Sequence, residues 1–240
     1  TVNARLSTDN VNFTNSTDDE KIGIEVMNVK HDFGAWDLTL GRFGNSFGNQ
    51  GGWFYGSSYG MDGAQIAAEF GKVNLAAGYG QFNSARDTSG DNETAIDNKD
   101  TFYAKADADL GAFDLYANYI TNVESNATAD EDYDIWSVGL TVPVGDFRVF
   151  GEYWQNTTAD DYDDAWNAGL GYGAIDLSKA GTWSLDVAYN DVGSNLYQGG
   201  TGLQTDIFDK LDANKELKFW NAIAAVSYTH LRAHETCADL

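Results

Sequence analysis

Basic residues are scarce in this 240-residue chain: 14 Lys and Arg stand against 37 Asp and Glu, for a formal charge of -23. Nucleic-acid binding needs clustered cations to neutralise phosphate, so that class is excluded and cations are the expected partners. Cysteine is nearly absent, and a single Cys237 leaves no disulfide framework to read. The one proline, Pro143, leaves long stretches free to pair as strands. No apolar run approaches the roughly 18 residues of a membrane helix, the longest being Ala222 to Val226. What the chain does have is 26 Gly, 7 Trp, 13 Tyr and 13 Phe, with 42% hydrophobic residues overall. That is too much apolar surface for a disordered acidic chain, and the length suffices for one sizeable domain.

The apolar residues recur at every second position. Examples are Trp166-x-Ala168-x-Leu170-x-Tyr172, Trp183-x-Leu185-x-Val187-x-Tyr189, Trp36-x-Leu38-x-Leu40 and Ile22-x-Ile24-x-Val26. Twelve such strands run from Val2 to Val226, and the alternate positions are polar or small. The apolar set is Ala-rich in mid-strand and aromatic at its ends, the pattern of strands that face lipid between aromatic girdles. Short joints, such as Gly71-Lys72 and Gly111, alternate with long connections, such as 83 to 100. The expectation is a transmembrane antiparallel meander β-barrel of about 12 strands over residues 1–226, with turns on one side of the membrane and loops on the other.

Residues 227–240 differ from the rest and hold His230, His234 and Cys237, a spacing that could suggest a metal site. Val226 to Thr236, VSYTHLRAHET, resembles translated sequencing-adapter DNA, so this tail is set aside from the fold and no metal site or cofactor is expected. The long loops are acidic, with runs at Asp130 to Asp134 and Asp160 to Asp164 read as solvated surface rather than calcium loops. Sequons at Asn12, Asn15, Asn92, Asn126 and Asn156 fall in these loops and are attributed to composition. A short helix is expected within Thr205 to Trp220. His31 is the only histidine outside the tail, and nothing pairs a nucleophile with a base, so no catalytic residue is expected.

One long connection is uncharged: Gly44 to Gly60, GNSFGNQGGWFYGSSYG, carries Phe47, Trp53, Phe54, Tyr55 and Tyr59 among six glycines. Exposed aromatics cost free energy in water, so this loop is expected to fold inward against the wall and narrow a pore. Leu38-Thr39-Leu40-Gly41-Arg42-Phe43, the loop that follows, and Asp62-Gly63 after it resemble the general diffusion porins. The acidic, Asn-rich style of the chain is most similar to the barrels of S-layer-homology porins. The resemblance implies a constriction loop bounded by Arg42 and Asp62, a homotrimer in the bacterial outer membrane among lipid and lipopolysaccharide, and these twelve strands as part of sixteen. The lumen set is Arg5, Glu25, Glu69, Lys105, Asp107, Asp114, Arg148, Glu152 and Asp186, and its excess of carboxylates implies a cation-preferring passage for small hydrophilic solutes. Strict alternation places Arg42 on the lipid side, and a bulge at Gly41 would turn it inward. The competing readings are a soluble secreted β-sandwich that binds glycan or Ca²⁺, and a barrel adhesin without an open pore.

Overall fold

The computed structural model describes residues 1–9, 21–48, 55–82, 100–123, 133–197 and 214–227. The strands are β1 (Val2–Asp9), β2 (Lys21–Asp32), β3 (Asp37–Phe47), β4 (Tyr55–Phe70), β5 (Val73–Phe82) and β6 (Asp100–Asp109). They continue with β7 (Asp114–Asn122), β8 (Asp134–Val144), β9 (Phe147–Asn156), β10 (Asp164–Gly173), β11 (Trp183–Gly193) and β12 (Glu216–Val226). A single 3₁₀ turn, Ser194–Tyr197, follows β11. All twelve strands lie in one sheet in chain order, each antiparallel to the next, and β1 and β12 are its edges among the described residues. No described helix is long and apolar enough to cross a membrane.

The short connections follow from turn chemistry. The turns after β2, β4, β6 and β8 each place a glycine at positive φ, at Gly34, Gly71, Gly111 and Gly145, where a Cβ would strain the backbone. Asp32 and Asp109 brace two of these turns by accepting hydrogen bonds from the Gly34 and Gly111 N–H groups at 2.5 and 2.7 Å. The expected alternation of connection length does not hold throughout. Residues 157–163 join β9 to β10, whereas the nominally short turn after β10 takes residues 174–182. The helix expected in Thr205 to Trp220 falls largely outside the described residues, and β12 already begins at Glu216. Ser227, just past β12, is buried, and its N–H donates to the Thr182 carbonyl at 2.8 Å.

Register fixes which side chains share a face. One face carries Leu40, Ile66, Leu75, Val138, Leu140, Val149, Leu170 and Leu185, all exposed although apolar. Aromatic pairs bound this band at both ends. Trp136 meets Tyr153, Trp166 meets Tyr189 and Tyr189 meets Trp220 at 5.3–5.5 Å on the long-connection side. Phe147 meets Tyr172 edge to face at 4.9 Å, and Tyr172 meets Trp183 at a tilt at 5.2 Å, on the short-turn side. Trp183 and Tyr189 are six residues apart, roughly 20 Å along a strand, which suits the apolar band of a spanning barrel wall, about 25 Å tall.

The apolar face of β2 departs from simple alternation. Arg5 pairs with Val26 but Leu6 pairs with Ile24, so β2 accommodates an extra residue at Glu25. Met27 and Val29, rather than Val26, therefore join the exposed apolar face, at 59% and 51% exposure. The face assignment predicts a clear asymmetry between substitutions. Leu140→Arg, on the apolar face of β8, should destabilise the folded protein in bilayers by about 2–4 kcal/mol, whereas Asn74→Arg, on the opposite face of β5, should change stability by much less. Urea titrations in lipid vesicles, read by tryptophan fluorescence, would measure both.

Candidate functional site

The second face of the sheet is polar through mid-strand and toward the short turns. Neighbouring strands are joined in mid-strand by side-chain hydrogen bonds: Asn118 to Ser137 at 2.8 Å, Asn190 to Asn221 at 2.8 Å, and Asn167 to Glu152 at 3.2 Å. Arg148 donates to both oxygens of Asp186 at 2.5 Å and to the Gly173 carbonyl at 2.6 Å. Such groups are costly against hydrocarbon and inexpensive beside water, so this is the lumen-side face.

The same face is apolar at its long-connection end. Phe43, Phe47, Met61, Tyr103, Ile120, Tyr133, Ile135, Trp154, Ala165, Val192 and Leu196 form one buried cluster. Alternation had assigned this side to polar residues. The signal for the cluster lay in Tyr119-Ile120, Ile135-Trp136 and Tyr153-Trp154, where large side chains occupy both parities and both faces must therefore be packed.

What packs against that face is the end of β3. The expected loop Gly44 to Gly60 is largely a hairpin: Asn45 pairs with Ser57, Ser46 with Gly56 and Phe47 with Tyr55, after a register shift between Phe43 and Asn45. Phe47, 2% exposed, meets Tyr103 of β6 edge to face at 5.3 Å. Lys105 of β6 donates to Asn45 Oδ1 at 3.3 Å and to the Ser46 carbonyl at 3.2 Å. Gly48, at φ +84°, lies so close to β9 that a Cβ there would collide with the Glu152 carboxylate and come within 3.1 Å of the Trp154 ring. The hairpin thus leaves the wall at β3 and reaches β9, six strands away.

The residues singled out from sequence are distributed as follows. Glu69, Lys105, Asp107, Asp114, Arg148, Glu152 and Asp186 share the lumen-side parity, and Arg5 shares the face of Asn3, whose side chain bonds that of Asn28 at 3.0 Å. Glu25 is the extra residue of β2, and its side chain lies outside the described residues. Trp53 and Phe54 also lie outside them, as do the side chains of Tyr55 and Tyr59, whose backbones belong to β4. Arg42 requires a correction. Pairing runs without a break from Leu40 through Gly41 to Arg42, so no bulge turns Arg42 inward, and it keeps the parity of Leu38 and Leu40. Asp62 lies directly opposite and binds it in bidentate fashion at 2.7 and 2.6 Å. That pairing lowers the cost of a cation on the lipid-facing side.

Of the loop features, the acidic run Asp130 to Asp134 and four of the five sequons lie mainly outside the described residues. Asn156 is fully buried, accepts from the Asp134 and Thr158 N–H groups and donates to the Asn195 carbonyl, so it is a structural residue here. No group of His, Cys, Asp and Glu suited to a metal ion occurs among the described residues. The close approach at Gly48 makes that position the most sensitive in the hairpin. Gly48→Val should undock the hairpin end, because it adds backbone strain of about 1–3 kcal/mol to a steric clash. Hydrogen exchange at residues 43–47 is then expected to rise while β10 and β11 stay protected.

A family model described as Gram-negative porin matches residues 2–195. Among solved structures the chain is similar to an anion-selective porin from Comamonas acidovorans, at 15% identity and a TM-score of 0.45, covering 82% of this chain and 58% of that one. It is also similar to the outer-membrane protein OmpT of Vibrio cholerae, at 15% identity and a TM-score of 0.40, covering 85% of this chain and 79% of that one. An in-vitro folded trimer form of the latter matches at 14% identity and a TM-score of 0.40, covering 85% of this chain and 80% of that one. The chain therefore spans under two thirds of the length of the Comamonas porin. No curated protein sequence matches. With the family model covering most of its length, this chain belongs to the Gram-negative porin family, whose place is the bacterial outer membrane.

Proposed function

We propose that this protein is a passive diffusion channel for small hydrophilic solutes, narrowed by the hairpin between β3 and β4 and preferring cations. The observation that carries the reading is the hairpin itself. It lies on the polar, lumen-side face and reaches from β3 to Gly48 beside Glu152 and Trp154 of β9. Space on that face is therefore divided by a chord of backbone, as a size-limiting aperture requires. A sheet with one lipid-like face and one hydrated face, crossed by such a chord, has no need of a catalytic group to account for its construction.

The charge preference rests on the lumen-side residues. Arg148 is neutralised by Asp186, and Lys105 is engaged by the hairpin. Glu69, Asp107, Asp114 and Glu152 then set the sign of the field in the passage, which favours cations. The apolar face with its aromatic girdles is read as the surface toward lipid and lipopolysaccharide. A homotrimer, an affinity with S-layer-homology porins and a sixteen-stranded wall are further parts of the proposal. The last is supported by the edges that β1 and β12 leave unpaired among the described residues, because backbone donors in hydrocarbon need partners. We also propose that residues 227–240 derive from adapter sequence, which reading the source gene would test.

The protein folded in detergent and inserted into a planar bilayer under a KCl gradient should give stable conductance steps and a reversal potential favouring K⁺. Combined Glu69→Gln, Asp107→Asn and Glu152→Gln changes should move that potential toward zero or past it. A folded protein that never conducts would contradict the channel, and a reversal potential favouring Cl⁻ would contradict the charge assignment.

A further inference from the structure

We infer that Lys105 is the latch that holds the constricting hairpin in place, and so sets the width of the aperture as well as contributing to its charge. The inference rests on the channel reading above, and it adds a role for one residue of the wall.

A lysine on a hydrated barrel wall would ordinarily extend into water or toward a neighbouring carboxylate, and Asp107 lies two residues along the same face. Lys105 does neither exclusively. Its ammonium binds three consecutive residues of the hairpin: the Asn45 side-chain oxygen, the Ser46 carbonyl and, at 5.6 Å from the centroid, the face of the Phe47 ring. Those residues follow the register shift between Phe43 and Asn45, the point where the hairpin stops being ordinary wall. The contact is therefore made beside the bend, where holding a short segment fixes the direction of everything beyond it.

The chemistry of the contact is also distinct. The far end of the hairpin meets β9 at Gly48, a residue without a side chain, by close packing. At Phe47 and Tyr103 the contact is between ring edges and faces. At Lys105 it is a set of charge-assisted hydrogen bonds to a part-buried segment, which are stronger than neutral ones and directional. The Ser46 carbonyl would otherwise need water, and Asn45, 6% exposed, has little access to any. Removing the ammonium thus weakens the hold on the hairpin without removing the wall.

The test compares wild type with Lys105→Met, which keeps length and loses the charge, and Lys105→Arg, which keeps donors and charge. Folding is checked first by heat-dependent mobility on gels. In planar bilayers, Lys105→Met should spend roughly tenfold more time in a wide conductance level, the factor expected for losing one charge-assisted hydrogen bond. It should also admit larger polyethylene glycols, while Lys105→Arg restores the wild-type level and size limit. Asn45→Leu, which removes the acceptor, should move the channel in the same direction as Lys105→Met and serves if that variant fails to fold. Variants that fold and conduct with unchanged level occupancy and size limit would overturn the latch. A wild type that never conducts would instead remove the channel reading. The latch is then judged by hydrogen exchange at residues 43–47, which Lys105→Met accelerates if the latch exists and leaves unchanged if it does not.

Discussion

Backbone N–H and C=O groups inside a bilayer have no water to bind, so each must find its partner within the protein. A sheet in which consecutive strands satisfy one another meets that need, and here twelve strands do so in simple chain order among the described residues. Once strands span the membrane, the two-residue period of the pleat divides every strand between lipid and lumen. The exposed apolar side chains between the Trp136–Trp220 and Phe147–Trp183 girdles would be an aggregation hazard in water. Against hydrocarbon they are the required surface.

That division makes the lumen-side face the place where polar chemistry is tolerated, and it explains the inward hairpin. Asn118, Ser137, Asn167 and Glu152 are buried on that face and bond one another across strands, because a buried polar group left unpaired is costly. At the long-connection end the same face turns apolar, with Tyr103, Ile120, Ile135 and Trp154 buried. Apolar side chains facing a hydrated passage gain by being covered, and Phe43 and Phe47 of the hairpin cover them. The hydrophobic effect thus draws the hairpin onto the wall, while the hydrogen bonds of Lys105 and the close fit of Gly48 determine where it stops.

Much of this was legible in the sequence because period two is a strong signal when one face meets lipid. Trp166 to Tyr172 and Trp183 to Tyr189 name their strands, their lipid-facing side chains and both girdles. The errors have a common origin in places where the period breaks. Glu25 adds a residue to β2, so Met27 and Val29 take the apolar face in place of Val26, and no alternation rule registers such a slip. Around Gly41 the reverse occurred: a bulge was expected to rescue Arg42 from lipid, but Asp62 on the facing strand neutralises it in place. A cross-strand partner depends on register, and register is set by the whole sheet. That the segment Gly44 to Gly60 packs on the protein rather than standing in water was readable from its uncharged, aromatic composition and is seen at Phe47 and Gly48, whereas its continued pairing as strand was hidden by the glycines. Which wall residue would grip it was not readable, since nothing in the neighbourhood of Lys105 in sequence points to Asn45 and Ser46.

The central claim is that the hairpin lies across the lumen-side face against β9. It is tested most directly by placing cysteines at Ser46, an exposed residue just before Gly48 on the hairpin, and at Glu152, with Cys237→Ser to leave no other thiol, and treating the folded protein with a bis-maleimide long enough to span from Ser46 past Gly48 to β9. The account predicts an intramolecular cross-link, seen as a single mass increment joining the two segments after proteolysis, that forms in the folded protein and not after heat denaturation in detergent. A folded protein in which both thiols react singly and no cross-link forms would contradict it, and would place the hairpin outside the passage.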